Sequence, residues 1–254
     1  MTKAALKEFL DEKAELYENP TFLETDPLQI PHAFSRKEDI EISAFLTATI
    51  AWGNRKSIIS NAQRLMTLLD NAPYEFVCSY TEDDLNTLQD FVHRTFNGDD
   101  LTTFIKGLQH IYTQHGGLEG VFVKNKTKQS LQPAISALKT CFFEIPHQKR
   151  TEKHVSDPLR GSAAKRINMF LRWMVRSSKK NVDFGIWPGI EPSILSCPLD
   201  VHSGNVARKL KLLKRKQNDA KALAELDKNL RRLDPKDPVK YDFALFGLGV
   251  FEKF

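Results

Sequence analysis

Gly161-Ser162-Ala163-Ala164-Lys165-Arg166-Ile167-Asn168-Met169-Phe170-Leu171 is the stretch on which the reading of this chain turns. Beyond the glycine, the apolar residues Ile167, Phe170, Leu171, Met174 and Val175 recur at helical spacing and form one stripe over 163–176. Lys165 and Arg172 are seven residues apart, so on a helix they differ by about 20° in azimuth and share a face. Asn168 falls near that face, which places an amine, an amide and a guanidinium in line opposite the stripe. Further on, Pro198-Leu199-Asp200-Val201-His202 forms a short loop that leads into the basic segment Asn205-Val206-Ala207-Arg208-Lys209-Leu210. The second half thus pairs a helix-borne amine with a loop carboxylate. A lysine on a helix is ordinarily a solvated surface group, so its surroundings must single it out.

Helical periodicity continues outward in both directions. Residues 40–52 are nearly all apolar over a length that suits a buried helix rather than a strand. Gly53-Asn54 breaks this run, and 56–69 resumes with Ile58, Ile59, Ala62, Leu65, Met66 and Leu69. Amphipathic stretches follow at 83–96, 101–113 and 131–141, with breaks at Gly116-Gly117 and between Pro146 and Pro158. Ser156-Asp157-Pro158 signals a helix start. The irregular connection 181–198 precedes helices expected at 202–213, 220–231 and 238–251. No strand pattern of any length and no internal repeat is present, so the expected class is all-α.

Charge is distributed unevenly. Residues 1–150 carry 16 Lys and Arg against 20 Asp and Glu, a net of −4, whereas 151–254 carry 21 against 12, a net of +9. The basic half suggests a polyanionic partner, with a solvated basic surface as the plainer alternative. Cys78, Cys141 and Cys197 are few and far apart, which implies a reducing compartment. No Cys/His cluster has zinc spacing and no four-cysteine run could hold an iron–sulfur cluster, so no metal or other cofactor is expected. The start of the chain lacks an apolar signal core, and no segment has the length of a membrane span. The expected location is the cytoplasm, in association with the bacterial nucleoid.

Gly161-x-x-x-Lys165-x-x-Asn168-x-x-Leu171 and Leu199-Asp200-Val201-His202 together resemble the helix-hairpin-helix DNA glycosylases, the superfamily of endonuclease III and the 8-oxoguanine glycosylases. In those enzymes a catalytic lysine opens the helix after a glycine-containing hairpin, and a catalytic aspartate stands in a loop that leads into a helix. The resemblance implies a two-lobed helical glycosylase-like fold over 1–254, a cleft between the lobes, and a hairpin and catalytic region at about 150–215. The separation of 35 residues between Lys165 and Asp200, the basic Arg172, and the Asp242/Phe246 pair are most similar to the archaeal 8-oxoguanine enzymes. The whole chain also resembles an uncharacterised bacterial family with no assigned function.

What the resemblance implies can be set out residue by residue. Lys165 and Asp200 would be catalytic, and Arg172, Asp242 and Phe246 would shape the base pocket. Gly161, Ser162, Arg166, His202, Arg208 and Lys209 would contact DNA. Trp52 and Asn54, at the helix break Trp52-Gly53-Asn54-Arg55, offer side chains to bind the base or fill the gap left by a flipped nucleotide. Trp173 and Trp187 could stack on a base, although the core is the more natural place for Trp173. The run from Lys209 to Lys216 reads as a phosphate-contacting patch or a solvated face.

The implied activity is that of a monomeric glycosylase with AP lyase activity, which excises an oxidised base, 8-oxoguanine first, from double-stranded DNA. The hairpin departs from the usual pattern by keeping a single glycine. A second reading is a non-catalytic DNA-binding protein of the same fold, and a third is an all-α protein-interaction domain. The residues leave the lesion, its opposite base and the pathway open.

Overall fold

The computed structural model describes residues 2–254. Among them the chain is mostly helical, with one two-stranded ribbon. In chain order the first six helices are α1 (Lys3–Tyr17), α2 (Lys37–Thr49), α3 (Arg55–Leu68), α4 (Pro73–Ser79), α5 (Glu82–Thr87) and α6 (Gly98–Gln114). The ribbon, β1 (Val92–His93) and β2 (Phe96–Asn97), lies between α5 and α6. There follow α7 (Gly117–Asn125), α8 (Gln132–Phe142), α9 (Lys165–Val175), α10 (Val201–Lys209), α11 (Ala220–Leu233) and α12 (Tyr241–Val250). The described residues divide into two compact units, one formed by residues 2–22, 126–133 and 157–254, the other by 23–125 and 134–156.

The second of these units is built around α2. Every residue from Ile40 to Thr49 is buried, which explains why this segment is apolar with little alternation. Phe45, Phe104 and Phe142 pack together with ring centroids 4.9–6.0 Å apart, and Phe96 meets Phe104 edge-on at 5.2 Å. Each fully buried phenylalanine contributes about 2–3 kcal/mol of transfer free energy. Gly107 permits this packing, since a Cβ there would lie 2.8 Å from the Phe142 ring. Asp100 is buried within the unit and is bound by Arg150 at 2.9 Å and Thr151 Oγ1 at 2.6 Å.

The amphipathic segment 83–96 is not one helix. Helix α5 stops at Thr87, and the chain turns through Arg94 at φ +54° to pair β1 with β2. The cause lies at the start of α6, where Asn97 caps the helix from an extended conformation that suits a strand partner. The apolar residues of 83–96 have helical spacing, but a reciprocal capping box at Asn97 and Asp100 outweighs it. Gly98 also packs directly on the backbone of Gln89.

In the other unit, α12 packs against both α1 and α10, and α11 covers the same core. Leu10, Leu199, Val206, Leu223, Leu226, Tyr241, Ala244 and Leu248 are among the residues that fill it. Helix α10 ends at Lys209, short of the expected Leu213, because Lys211 enters the left-handed region at φ +60°. The N–H groups of Leu212 and Leu213 then both return to the Ala207 carbonyl. The expected start of α12 at Pro238 is a single 3-10 turn, and the α-helix begins at Tyr241. Among the described residues no helix is long and apolar enough to cross a membrane.

Candidate functional site

Helix α9 is entered through a tight turn. Asp157 Oδ1 accepts from the Leu159 N–H at 3.0 Å, and the Gly161 N–H returns to the Pro158 carbonyl at 2.9 Å. Gly161 has φ +88°, a conformation that favours glycine, and open space surrounds its α-carbon. The requirement for glycine is therefore conformational, not steric. Ala164 is also left-handed at φ +43°, which costs about 1–2 kcal/mol for a residue bearing a Cβ. Two side chains hold this turn in place. Ser162 Oγ accepts from the Ala164 N–H at 3.0 Å, and Asn168 Nδ2 donates to the Ala163 carbonyl at 2.9 Å. Asn168 Oδ1 in turn accepts from Gln132 Nε2 at 2.9 Å. Lys165 is the first residue of the helix, and no side chain caps the N-terminus there.

Asp200 caps α10. Its Oδ1 accepts from the Ser203 N–H at 2.9 Å, while the Asp200 N–H donates to Ser203 Oγ at 2.9 Å. Asn218 Nδ2 donates to the Asp200 carbonyl at 2.7 Å. Oδ1 is thus committed to the helix, and Oδ2 faces Lys165 Nζ at 3.9 Å. The two side chains remain 33% and 21% exposed, so both are within reach of a solute.

The connection that carries Asp200 is held by polar groups of α11 and α12. Arg231 of α11 donates to the carbonyls of Ser193 at 3.0 Å and Leu195 at 2.6 Å. Asp227 Oδ1 accepts from the Cys197 N–H at 3.0 Å, and the Cys197 thiol lies 3.6 Å from Asp242 Oδ1. Burial pushes the Asp227 carboxyl up to about 6 against the opposing contributions of Ser196, the Cys197 N–H and Arg231. Burial also raises Asp242, partly offset by Arg172, with Asp200 raising it further and Lys165 lowering it. Burial and then Asp242 push the Cys197 thiol well up, so it stays protonated and serves as a donor.

Below Lys165 on α9 lies an internal charge network. Arg172 donates to Asp242 Oδ2 at 2.6 Å and to Asp183 Oδ1 at 3.2 Å, with its guanidinium 4.2 Å from the Phe243 ring centre. Arg176 donates to Asp183 Oδ2 and Glu18 Oε1, both at 2.7 Å, and to Asp237 at 2.8 Å.

The family described as "Protein of unknown function (DUF2400)" matches residues 26–251. The chain belongs to this family. No curated protein and no solved structure matches it.

Measured against the sequence expectations, this family member brings Lys165, Asp200, Arg172 and Asp242 into one connected cluster, but with a different division of labour. Arg172 and Asn168 are buried, so the face they share with Lys165 points into the protein below its first turn. Arg172 is neutralised by two carboxylates and does not crowd the Lys165 amine as a free cation. Phe246 is half-buried and meets Phe22 and Phe251 edge-on at 6.0 and 6.4 Å. Trp187 and Trp173 are both buried, Trp187 against Phe170, so neither presents a face for stacking.

The expected DNA contacts also separate into two kinds. Gly161, His202 and Lys209 are exposed, as are Lys211, Lys214 and Lys216. Arg208 is spent on the fold, with Nε donating to the Arg215 carbonyl at 2.8 Å and a second nitrogen bound to Asn218. Arg166 is half-buried, and burial pulls its guanidinium down to about 10. Ser162 is occupied by the turn. Trp52 and Asn54 belong to the other unit. There Trp52 packs against His93 and His154, and Asn54 caps α3.

Asp227, Arg231, Asn218 and Ser203 escaped the sequence analysis. Only the spacing of Asp200 and Ser203 offered a signal for any of them, as a possible capping pair. A groove of about 710 Å³ lies near Asp227, lined by Pro133, Leu159, Ile194 and Leu223 among others, but Lys165 and Asp200 do not line it.

Proposed function

We propose that the protein is a helix-hairpin-helix DNA glycosylase with lyase activity, acting on oxidised guanine. The observation that carries this reading is the accessible pair of Lys165 Nζ and Asp200 Oδ2, 3.9 Å apart, with the second carboxylate oxygen locked into a helix cap. The turn of Gly161 and Ala164 ahead of an uncapped helix N-terminus supports it, since such a terminus favours a phosphate. So do the exposed lysines at 209, 211, 214 and 216.

The chemistry follows from the two groups. As the N-glycosidic bond breaks, its electron pair leaves with the base and positive charge develops on the sugar. Asp200 Oδ2 stabilises that charge, as carboxylates do in glycoside hydrolysis. The lysine amine, after losing a proton for which Asp200 is the nearest carboxylate acceptor, attacks C1′ and forms a C–N bond. Opening of the sugar ring converts the adduct to a Schiff base. Loss of a proton at C2′ then expels the 3′ phosphate by β-elimination. The target nucleotide must leave the stack, at a cost of a few kcal/mol.

Oxidised guanine carries an N7–H donor and a C8 carbonyl where guanine has an N7 acceptor and a C8–H. Asp242 Oδ2 is held strongly by Arg172, whereas its Oδ1 has only a thiol at 3.6 Å. Asp242 is buried, so that oxygen is the one a base N–H would engage once the surrounding side chains open to admit a flipped nucleotide. Incubation with a duplex bearing 8-oxoguanine followed by borohydride reduction tests the reading. A covalent complex that requires Lys165 supports it, and binding without trapping favours the non-catalytic alternative.

A further inference from the structure

His110 lies in α6, His115 caps the end of that helix, and Glu144 follows α8 in the same compact unit. His110 Nε2 is 2.9 Å from Glu144 Oε2, His115 Nε2 is 3.0 Å from the same oxygen, and the two nitrogens are 3.3 Å apart. Three atoms that can each serve as a metal ligand therefore converge on one small volume. Protons serve this arrangement poorly. If both imidazoles donate to Glu144, two N–H groups crowd one oxygen from 3.3 Å apart. If one imidazole instead turns its lone pair toward the other, its approach to the carboxylate has no hydrogen in it.

A single cation satisfies all three atoms. Tetrahedral zinc, with bonds of about 2.0–2.2 Å to nitrogen and oxygen, holds its ligand atoms about 3.3 Å apart. The observed triangle, with edges of 2.9, 3.0 and 3.3 Å, needs to expand by only a few tenths of an ångström. We propose that His110, His115 and Glu144 form a binding site for a divalent transition cation of the zinc class, with one position left open to water. Two imidazole ligands select against magnesium and calcium, which favour oxygen donors. The side chains are 22%, 20% and 44% exposed, so an ion can enter and a water can complete the shell. Because one ligand lies beyond α8, one on α6 and one at the C-cap of α6, the ion would pin the end of α6 to the segment after α8.

The test is calorimetric titration of the metal-stripped full chain, free of any histidine tag, with Zn²⁺ and separately with Mg²⁺. One zinc site is expected, with no comparable magnesium binding. Affinity should fall at least about tenfold in His110→Asn, His115→Asn and Glu144→Gln. Unchanged zinc affinity in folded variants, or absence of a zinc site in the unaltered chain, would overturn the proposal. Cobalt(II) added to the unaltered chain gives a reading that needs no variant. Intense visible bands of a four- or five-coordinate ion support the site, and a weak six-coordinate spectrum sinks it. Either result leaves the reading of Lys165 and Asp200 untouched.

Discussion

Asp200 turns one carboxylate oxygen into its own helix, onto the Ser203 N–H at 2.9 Å, and presents the other to Lys165 Nζ at 3.9 Å. One side chain thus completes a fold element and faces an amine. The two roles can be separated experimentally, because an amide caps a helix about as well as a carboxylate but carries no charge.

Asp200→Asn should keep the fold, with a melting temperature close to that of the unaltered chain. Excision of 8-oxoguanine should fall roughly 100-fold or more, the scale of losing one electrostatic stabiliser. Lys165→Gln should abolish borohydride trapping while duplex affinity changes by less than about threefold. Gel analysis of reduced complexes beside equilibrium binding measures both. Trapping that survives in Lys165→Gln would move the nucleophile to another amine.

Arg172 should matter for stability before it matters for DNA. Arg172→Met leaves Asp242 buried without its cation and Asp183 with Arg176 alone, and removing one partner of such a group costs about 3–5 kcal/mol. Urea unfolding of the variant should show that loss. A variant as stable as the parent would mean that the network relaxes or takes up protons at no cost.

Asp227 sets an expected pH dependence. Its carboxyl ionises near 6 in the folded chain against 3.8 in the reference state, so the folded protein holds the proton more tightly. This contribution favours folding below about pH 4, is lost progressively as pH rises from about 4 to 6, and is flat above. Asp227→Asn retains an acceptor for the Cys197 N–H and removes the ionisation. The variant should lack the fall between pH 4 and 6 and gain about 3 kcal/mol relative to the parent at pH 7. Thermal melts across pH 4–8 decide the matter, and parallel curves for the two proteins would refute it.

Asp242→Asn probes the lesion. The substitution keeps a hydrogen-bonding group beside Arg172 while exchanging a carboxylate for an amide. Discrimination between 8-oxoguanine and guanine should drop by about tenfold or more, with a smaller change in affinity for undamaged duplex. Parallel excision assays on uracil, alkylated adenine and oxidised pyrimidines complete the comparison. Preference for one of those would leave the Lys165–Asp200 pair intact and overturn the assignment of the pocket.

Much of the helical architecture was legible because burial writes itself into periodicity. The nearly continuous apolar run at 40–52 marked the central α2, Gly53-Asn54 marked its end, and the stripe Ile167-Phe170-Leu171-Met174 marked α9. Where local capping competed with the stripe, the stripe misled. The 83–96 segment became a short helix and a ribbon because Asn97 and Asp100 nucleate α6, and α10 stopped early because Lys211 turned left-handed. Helical spacing placed Lys165 and Arg172 on one face, but could not show that this face dips into the protein within two turns.

The sequence by itself determined the helical class, the element that carries Lys165 and the loop that carries Asp200, because each depends on neighbours along the chain. Tertiary structure alone decided that Lys165 and Asp200 meet, since the rest of α9 and then the irregular connection 176–199 separate them, and the path of that connection is set by Asp227, Arg231 and Asp242 on two later helices. It also decided that Arg172 is a buried counter-ion, and that His110, His115 and Glu144 converge. Pairings of this kind depend on distance through space, and no spacing rule along a chain encodes where a loop returns.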